Sequence, residues 1–244
     1  MNIDFFRKSC VKITEQIKSI GESAVIDGIV DVDRYMKSHL KVMWILKETN
    51  SEGYWSIVDN YKDHEWLTRC NGLMSIRRVI YTSYGIMHPE ITDWKDFPWS
   101  YEEKCQDALK DIAFVNINKL PGSATADDEI IQNAYHTNRG LLKLQFDIYN
   151  PDVVIFGNTL KYIDTVDFDG DFSDSNRKRT EKTDTHYYPS KHRLYINAWH
   201  PSYFKGIIDE DYVMDIVNIT RKWNDEWRNQ YTETKEKIKD SILE

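Results

Sequence analysis

His200, in the run Trp199-His200-Pro201-Ser202, is the histidine of this chain best placed to do chemistry. A proline cannot continue a sheet ladder, and the residue before it is pushed away from helix. His200 therefore belongs to a loop opening from the end of a strand, where a ring N–H can be aimed into a cleft. Three other runs have the same form, an apolar stretch followed abruptly by polar residues. They are Lys47-Glu48-Thr49-Asn50, Asn116-Ile117-Asn118-Lys119 and Gly157-Asn158. Gathered in one place, they offer a carboxylate, carboxamides, lysines, an imidazole and hydroxyls. Such a set can orient water, hold a polar ring and donate to a developing anion. Each residue also has a plainer use. His200 can tie down a turn, Glu48 can pair with Lys47 or cap a helix, Asn116 can bond strand-end backbone, and Lys119 can lie on the surface.

The elements that must position these residues are legible. Leu194 to Ala198, Val42 to Leu46, Ile112 to Ile117 and Asp152 to Phe156 are short apolar runs of buried-strand type. Between them the apolar spacing predicts helices over 2–20, 32–40, 66–84, 100–111 and about 127–149, and a terminal helix from Tyr212 to about Ile242. Ser100-Tyr101-Glu102-Glu103 matches a capping box. Ile216, Ile219, Trp223 and Trp227 form an apolar stripe that reads as core packing. Strands alternating with helices predict an α/β fold, a three-layer α/β/α sandwich around a central, mostly parallel four-stranded sheet. No repeat or linker divides the chain, so one domain over 1–244 is expected. In such sheets the residues after the strands converge on one edge, where ligands bind.

Composition narrows the function. The 244 residues carry a net charge of −8, which argues against broad non-specific binding of nucleic acid. Eight Trp and fifteen Tyr supply core or base-stacking material. The three cysteines are widely spaced, and no His/Cys/Asp cluster has metal-ligand spacing, so no metal is expected. There is no G-x-G-x-x-G, Walker A or G-x-S-x-G sequence, so no nucleotide cofactor and no serine-hydrolase elbow are expected. Asp4, Arg7 and Lys8 near the start, with no long apolar run, predict no signal peptide, and no stretch reaches membrane-spanning length, so the expected location is cytoplasmic.

Residues 164–193 differ in composition from the rest. Asp167, Asp169, Asp171 and Asp174 precede Arg177, Lys178, Arg179, Lys182, Lys191 and Arg193. The glycine falls too early for a calcium loop, so a solvated loop or hairpin is expected. The basic half, with Tyr187 and Tyr188 interleaved, is the candidate surface for phosphates.

Taken in order, the strand ends resemble the uracil-DNA glycosylase superfamily. The likeness lies in Lys47-Glu48-Thr49-Asn50, Phe114-Val115-Asn116-Ile117-Asn118-Lys119, Tyr149 to Asn158, and Asn197-Ala198-Trp199-His200-Pro201-Ser202, within residues 41–204. It is nearest to the thermophilic-type branch, with its Gly-Glu-Ala-Pro-Gly loop and terminal His-Pro. The resemblance implies hydrolysis, without cofactor, of the N-glycosidic bond of a flipped or single-stranded uracil-type base in DNA. It further implies that His200 donates to the 2-oxygen of the leaving base, Glu48 orients or deprotonates water, and Asn116 reads the base edge. Tyr54 or Trp55 would stack on the base. Tyr203 or Phe204 would fill the vacated stack, with Lys119 and Ser202 contacting DNA. The insert over 164–193 has no counterpart in the family, and Arg177, Lys178 and Arg179 are expected to contact DNA from their charge alone.

Several residues depart from that pattern. Lys47, Thr49 and Asn50 replace the family's glycines and proline, and the branch's four iron–sulfur cysteines are missing. These departures and the acidic charge keep two alternatives in play. One is an inactive module that binds a nucleobase, a nucleotide or a protein. The other is a hydrolase of free nucleosides.

Overall fold

The structure is a computed structural model that describes residues 2–229. Its frame is a mixed sheet of seven strands, with β1 Gly28–Ile29, β2 Val42–Leu46, β3 Ile112–Asn116, β4 Val153–Gly157, β5 Lys178–Arg179, β6 His186–Pro189 and β7 Leu194–Ala198. They lie in the order β1-β3-β2-β4-β7-β6-β5. The four inner strands, β3, β2, β4 and β7, are the four apolar runs of the sequence and are mutually parallel. The expected four-stranded sheet is thus extended by antiparallel strands, β1 on one side and the β6–β5 hairpin on the other. All five residues of β2, β3 and β4 are buried, as strands covered on both faces must be.

Alternate residues feed two cores. Trp44, Leu46, Phe114, Ile155 and Ile196 pack with helices α2 (Met74–Met87) and α4 (Asp209–Trp223). Met43, Ile45, Val115, Phe156 and Tyr195 face α1 (Ile3–Lys18) and α3 (Asp128–Tyr149). Helix α3 starts where Asp127 takes the N–H groups of Glu129 and Ile130, and it ends at Asn150 in the left-handed conformation.

Two expected helices differ. The 66–84 stretch breaks into a helix over His64–Arg69, a tight turn at Cys70–Gly72, and α2. Asn71-Gly72 is a turn dipeptide inside the apolar pattern. The 100–111 helix shrinks to Glu103–Gln106 plus a 3-10 turn. Ser100 does not cap it, because its hydroxyl bonds Asn71 Oδ1 instead. Of the apolar stripe on the terminal helix, Ile216, Ile219 and Trp223 lie in the core. The Trp227 side chain and the stretch from 230 to Ile242 lie outside the described residues. Among the described residues, no helix is long and apolar enough to cross a membrane.

Candidate active site

The parallel register sets Leu46 level with Asn116, and Gly157 level with Ala198, so all four tips emerge at one edge. The two loops nearest β2 and β3 are joined. Ile117 N–H donates to Leu46 O and Asn118 N–H to Lys47 O, both at 2.9 Å. Further out, Thr49–Asn50 pairs in parallel with Pro121–Gly122. Glu48 closes this zipper, its Oε2 accepting from Asn118 Nδ2 at 3.0 Å and its Oε1 from Ser123 N–H at 3.2 Å. A side chain at position 122 would begin 2.0 Å from Glu48 Cδ, so glycine there is a requirement of close approach.

Asn116 is buried at the end of β3. Its backbone N–H donates to Asp27 Oδ2 at 2.7 Å, and its Nδ2 donates to Thr49 Oγ1 at 2.8 Å. Its Oδ1 is enclosed and has no partner. A buried carbonyl oxygen left so costs about 1–3 kcal/mol.

On the other side of the edge, Asn158 adopts φ 59° and donates its N–H to Ala198 O at 2.8 Å. Pro201 packs close to Gly157, so the His200 loop crosses the tip of β4. Two groups clamp that loop. Tyr212 Oη donates to Trp199 O at 2.8 Å. Arg78, fully buried in α2, donates to Pro201 O at 3.3 Å, Tyr203 O at 2.5 Å and Ile207 O at 2.6 Å, and to Asp209 Oδ1 at 2.8 Å. Its guanidinium carbon lies over the Tyr212 ring, 4.6 Å from the ring centre.

His200 Nδ1 accepts the Ser202 backbone N–H at 3.2 Å and lies 2.7 Å from Ser202 Oγ. A backbone amide can only donate, so in the neutral ring the proton resides on Nε2. Burial, with Lys47 adding repulsion, pushes the imidazole down to about 4. At neutral pH the ring is therefore uncharged, with Nε2–H as its donor. We predict that the His200 C2 proton titrates by NMR with a midpoint about 4, and that Lys47→Met raises it. A midpoint at the ordinary ~6.5 would contradict this environment. The unfolded chain takes up this proton first as pH falls, so the contribution to stability is complete above ~6.5 and is lost towards 4.

Other expected site residues are placed elsewhere. Lys119 is turned inward and fully buried, with Nζ 2.7 Å from Asp27 Oδ2 and 2.7 Å from Gln145 Oε1. It cannot reach a phosphate. Its carboxylate partner, Asp27, is the reason, and a lone ammonium could not be buried there. Tyr54, 61% exposed, lines a cleft of about 650 Å³ beside α1, with Arg7 and Asp27 but without Asn116 or His200. Trp55 pairs with Val25 and meets Trp66 edge-on at 5.5 Å. Each thus has surroundings of its own, Tyr54 in that cleft and Trp55 against Trp66, with Val25 joined to the β3 tip through its N–H bond to Lys119 O at 2.7 Å. The aromatics that do border the tips are Tyr162 and the Trp199–Tyr203 pair, stacked at 4.4 Å. That stack holds Tyr203 against Trp199, whereas Phe204 is 69% exposed.

The basic strand β5 flanks the site only laterally. Arg179 is level with His186, which is level with Asn197, two strand spacings or ~10 Å from β7. The hairpin tip touches the site's loop, since Trp199 Nε1 donates to Thr183 O at 2.8 Å. Its charges are largely matched within the protein. Arg177 pairs with Asp174 at 2.9 Å, Arg179 with Asp184 at 3.3 Å and Lys182 with Asp211 at 2.8 Å, while Lys178 is exposed on β5. Arg193 is buried, bonded to Pro151 O, Asn150 and Asp169. The basic half is thus an ion-paired edge, and exposed pairs of this kind contribute little and are screened by salt. The acidic half bonds inward too, with Asp167 held by Arg139 and Tyr135. Among the described residues no group of three His, Cys, Asp or Glu could hold a metal ion.

Sequence reasoning passed over Arg78 and Asp27 as parts of the site. Two adjacent arginines inside an apolar helical pattern, and an aspartate among apolar residues before Gly28, are the signals that mark buried charge. Comparison of the sequence with protein-family models finds no match, and comparison with curated proteins finds none either.

Proposed function

We propose that this chain is a uracil-DNA glycosylase-like protein that hydrolyses the N-glycosidic bond of a flipped or single-stranded uracil-type base in DNA. One observation carries the proposal, namely the Ser202 N–H bond to His200 Nδ1, which leaves Nε2–H as the donor of the neutral ring, on a loop clamped by Arg78 and Tyr212. Departure of a pyrimidine leaves negative charge on its 2-oxygen. A fixed neutral donor at that oxygen acts as an oxyanion hole and is worth ~10²–10³ in rate. The Asn116 carboxamide, whose Oδ1 has no partner, would supply an acceptor for the imide N–H of such a base when the residues enclosing it part.

The test is incubation with uracil-containing single- and double-stranded DNA, followed by alkali to reveal abasic sites. The expected result is cleavage that falls ~10²–10³-fold in His200→Ala. Cleavage no greater than in that variant, on either DNA, would end the enzymatic reading for uracil.

A second reading, a binding module without hydrolysis, is favoured by Glu48. Both of its oxygens are taken, one by Asn118 and one by Ser123, so water must compete for this carboxylate. This reading expects base or nucleotide binding with intact DNA in the same assay.

A further inference from the structure

Lys47, Lys161 and Tyr162 converge on a single carboxylate, Asp128, next to the candidate site. Lys161 Nζ lies 2.5 Å from Asp128 Oδ2, the Tyr162 hydroxyl donates to Oδ1, and Lys47 Nζ stands 3.6 Å from Oδ1. Both ammonium groups also lie over the Tyr162 ring, at 5.4 Å for Lys47 and 4.7 Å for Lys161.

Two of the three donors are more enclosed than their occupant. The Tyr162 side chain is buried and Lys47 is only 16% exposed, whereas Lys161 at 48% and Asp128 at 63% are surface groups. Asp128 is not needed to start its helix, because the neighbouring Asp127 makes the capping bonds. Among the described residues Lys47 pairs only with Asp128, and at 3.6 Å it is beyond hydrogen-bond length from a carboxylate already taken by Lys161 and Tyr162. Two lysines and a phenol around a displaceable surface carboxylate form an anion cradle. They hold Asp128 down to about 2, so it remains ionised.

We propose that this cradle binds the phosphate of a nucleotide substrate, and that Asp128 is an internal stand-in which the phosphate displaces. Lys47 ties the cradle to the chemistry. It directly follows Leu46, whose side chain approaches Gly157 beside Pro201 of the His200 loop. A substrate held by its phosphate at Lys47 and Lys161 would present its base along the edge bearing Asn116 and His200. A free nucleoside, lacking the phosphate, would not use the cradle. The anion site stands on the cradle alone; only the position of the base rests on the proposed function.

Calorimetric titration of the whole chain with inorganic phosphate, dUMP and deoxyuridine tests this. In the wild type dUMP should bind more tightly than either phosphate or deoxyuridine. Asp128→Asn, which removes the competing charge, should tighten dUMP and phosphate by about tenfold and leave deoxyuridine unchanged. Lys47→Met and Lys161→Met should each weaken dUMP by about tenfold or more. A gain of affinity in Asp128→Asn cannot arise from damaged folding, and thermal melts of the lysine variants separate lost binding from lost structure. No tightening in Asp128→Asn, or dUMP binding no better than phosphate or deoxyuridine, overturns the proposal. So does absence of dUMP binding at millimolar concentration. Lys47-dependent dUMP binding with no uracil release from DNA would support the cradle while removing the glycosylase reading.

Discussion

Asp27→Ala is expected to destabilise the fold by ~3–5 kcal/mol, a large part of a typical domain's stability. Asp27 and Lys119 have no exposed side-chain surface, and the carboxylate accepts from Lys119 Nζ, Gln145 Nε2 and the Asn116 backbone N–H. Removing it leaves an ammonium buried without its counter-charge. Urea denaturation measures the loss, and Asp27→Ala/Lys119→Met should recover much of it, because the cost lies in the orphaned charge rather than in lost packing. Burial already lowers the Lys119 ammonium below its ordinary range, and Asp27 is the group that opposes this. Without Asp27, the unfolded chain binds that proton more tightly than the folded one. The variant should therefore regain stability as pH rises towards ~10.4. A single variant within experimental error of the wild type would refute the account. The site shares the consequence, since the same carboxylate fixes the backbone of Asn116.

Arg78→Met is expected to cost ~3 kcal/mol or more and to release the His200 loop. The guanidinium satisfies three carbonyls, of Pro201, Tyr203 and Ile207, that no methionine can bond. Asp209 is less affected because Arg77 Nε remains 2.6 Å from it. Arg78→Lys should recover only a minor share, since one compact ammonium cannot span carbonyls separated along a seven-residue loop. The discriminating readout is His200. If the clamp holds the imidazole in its desolvated position, its midpoint should climb from about 4 towards ~6.5 in Arg78→Met. A destabilised variant whose His200 still titrates at about 4 would make Arg78 a structural residue only.

The inner strands were legible because continuous apolar runs bounded by polar stops have few other uses in a chain of this length. Val42–Leu46 and Leu194–Ala198 agree with the sequence to the residue, and Ile112–Asn116 and Val153–Gly157 to within one. Where a second local signal competed, legibility failed. Asn71-Gly72 interrupts an otherwise helical pattern, and Ser100 spends its hydroxyl on Asn71 rather than on the helix that follows. The outer strands β1, β5 and β6 are short and lack an apolar run of their own, so they exist because a neighbour pairs with them.

From its residues alone this chain specifies an α/β frame and the four polar tips that the frame brings to one edge, since burial of apolar side chains follows local pattern. It does not specify which way the charges at those tips turn. Lys119 points into the core because Asp27, 92 positions away, waits there, and Lys47 stays at the site because Lys161 takes most of Asp128. Trp55 takes Val25 and the Trp66 ring as its partners, and Tyr54 lines the cleft beside α1. Ion pairs and aromatic contacts are made between residues distant in sequence. Their partners are chosen only when the chain has folded around them.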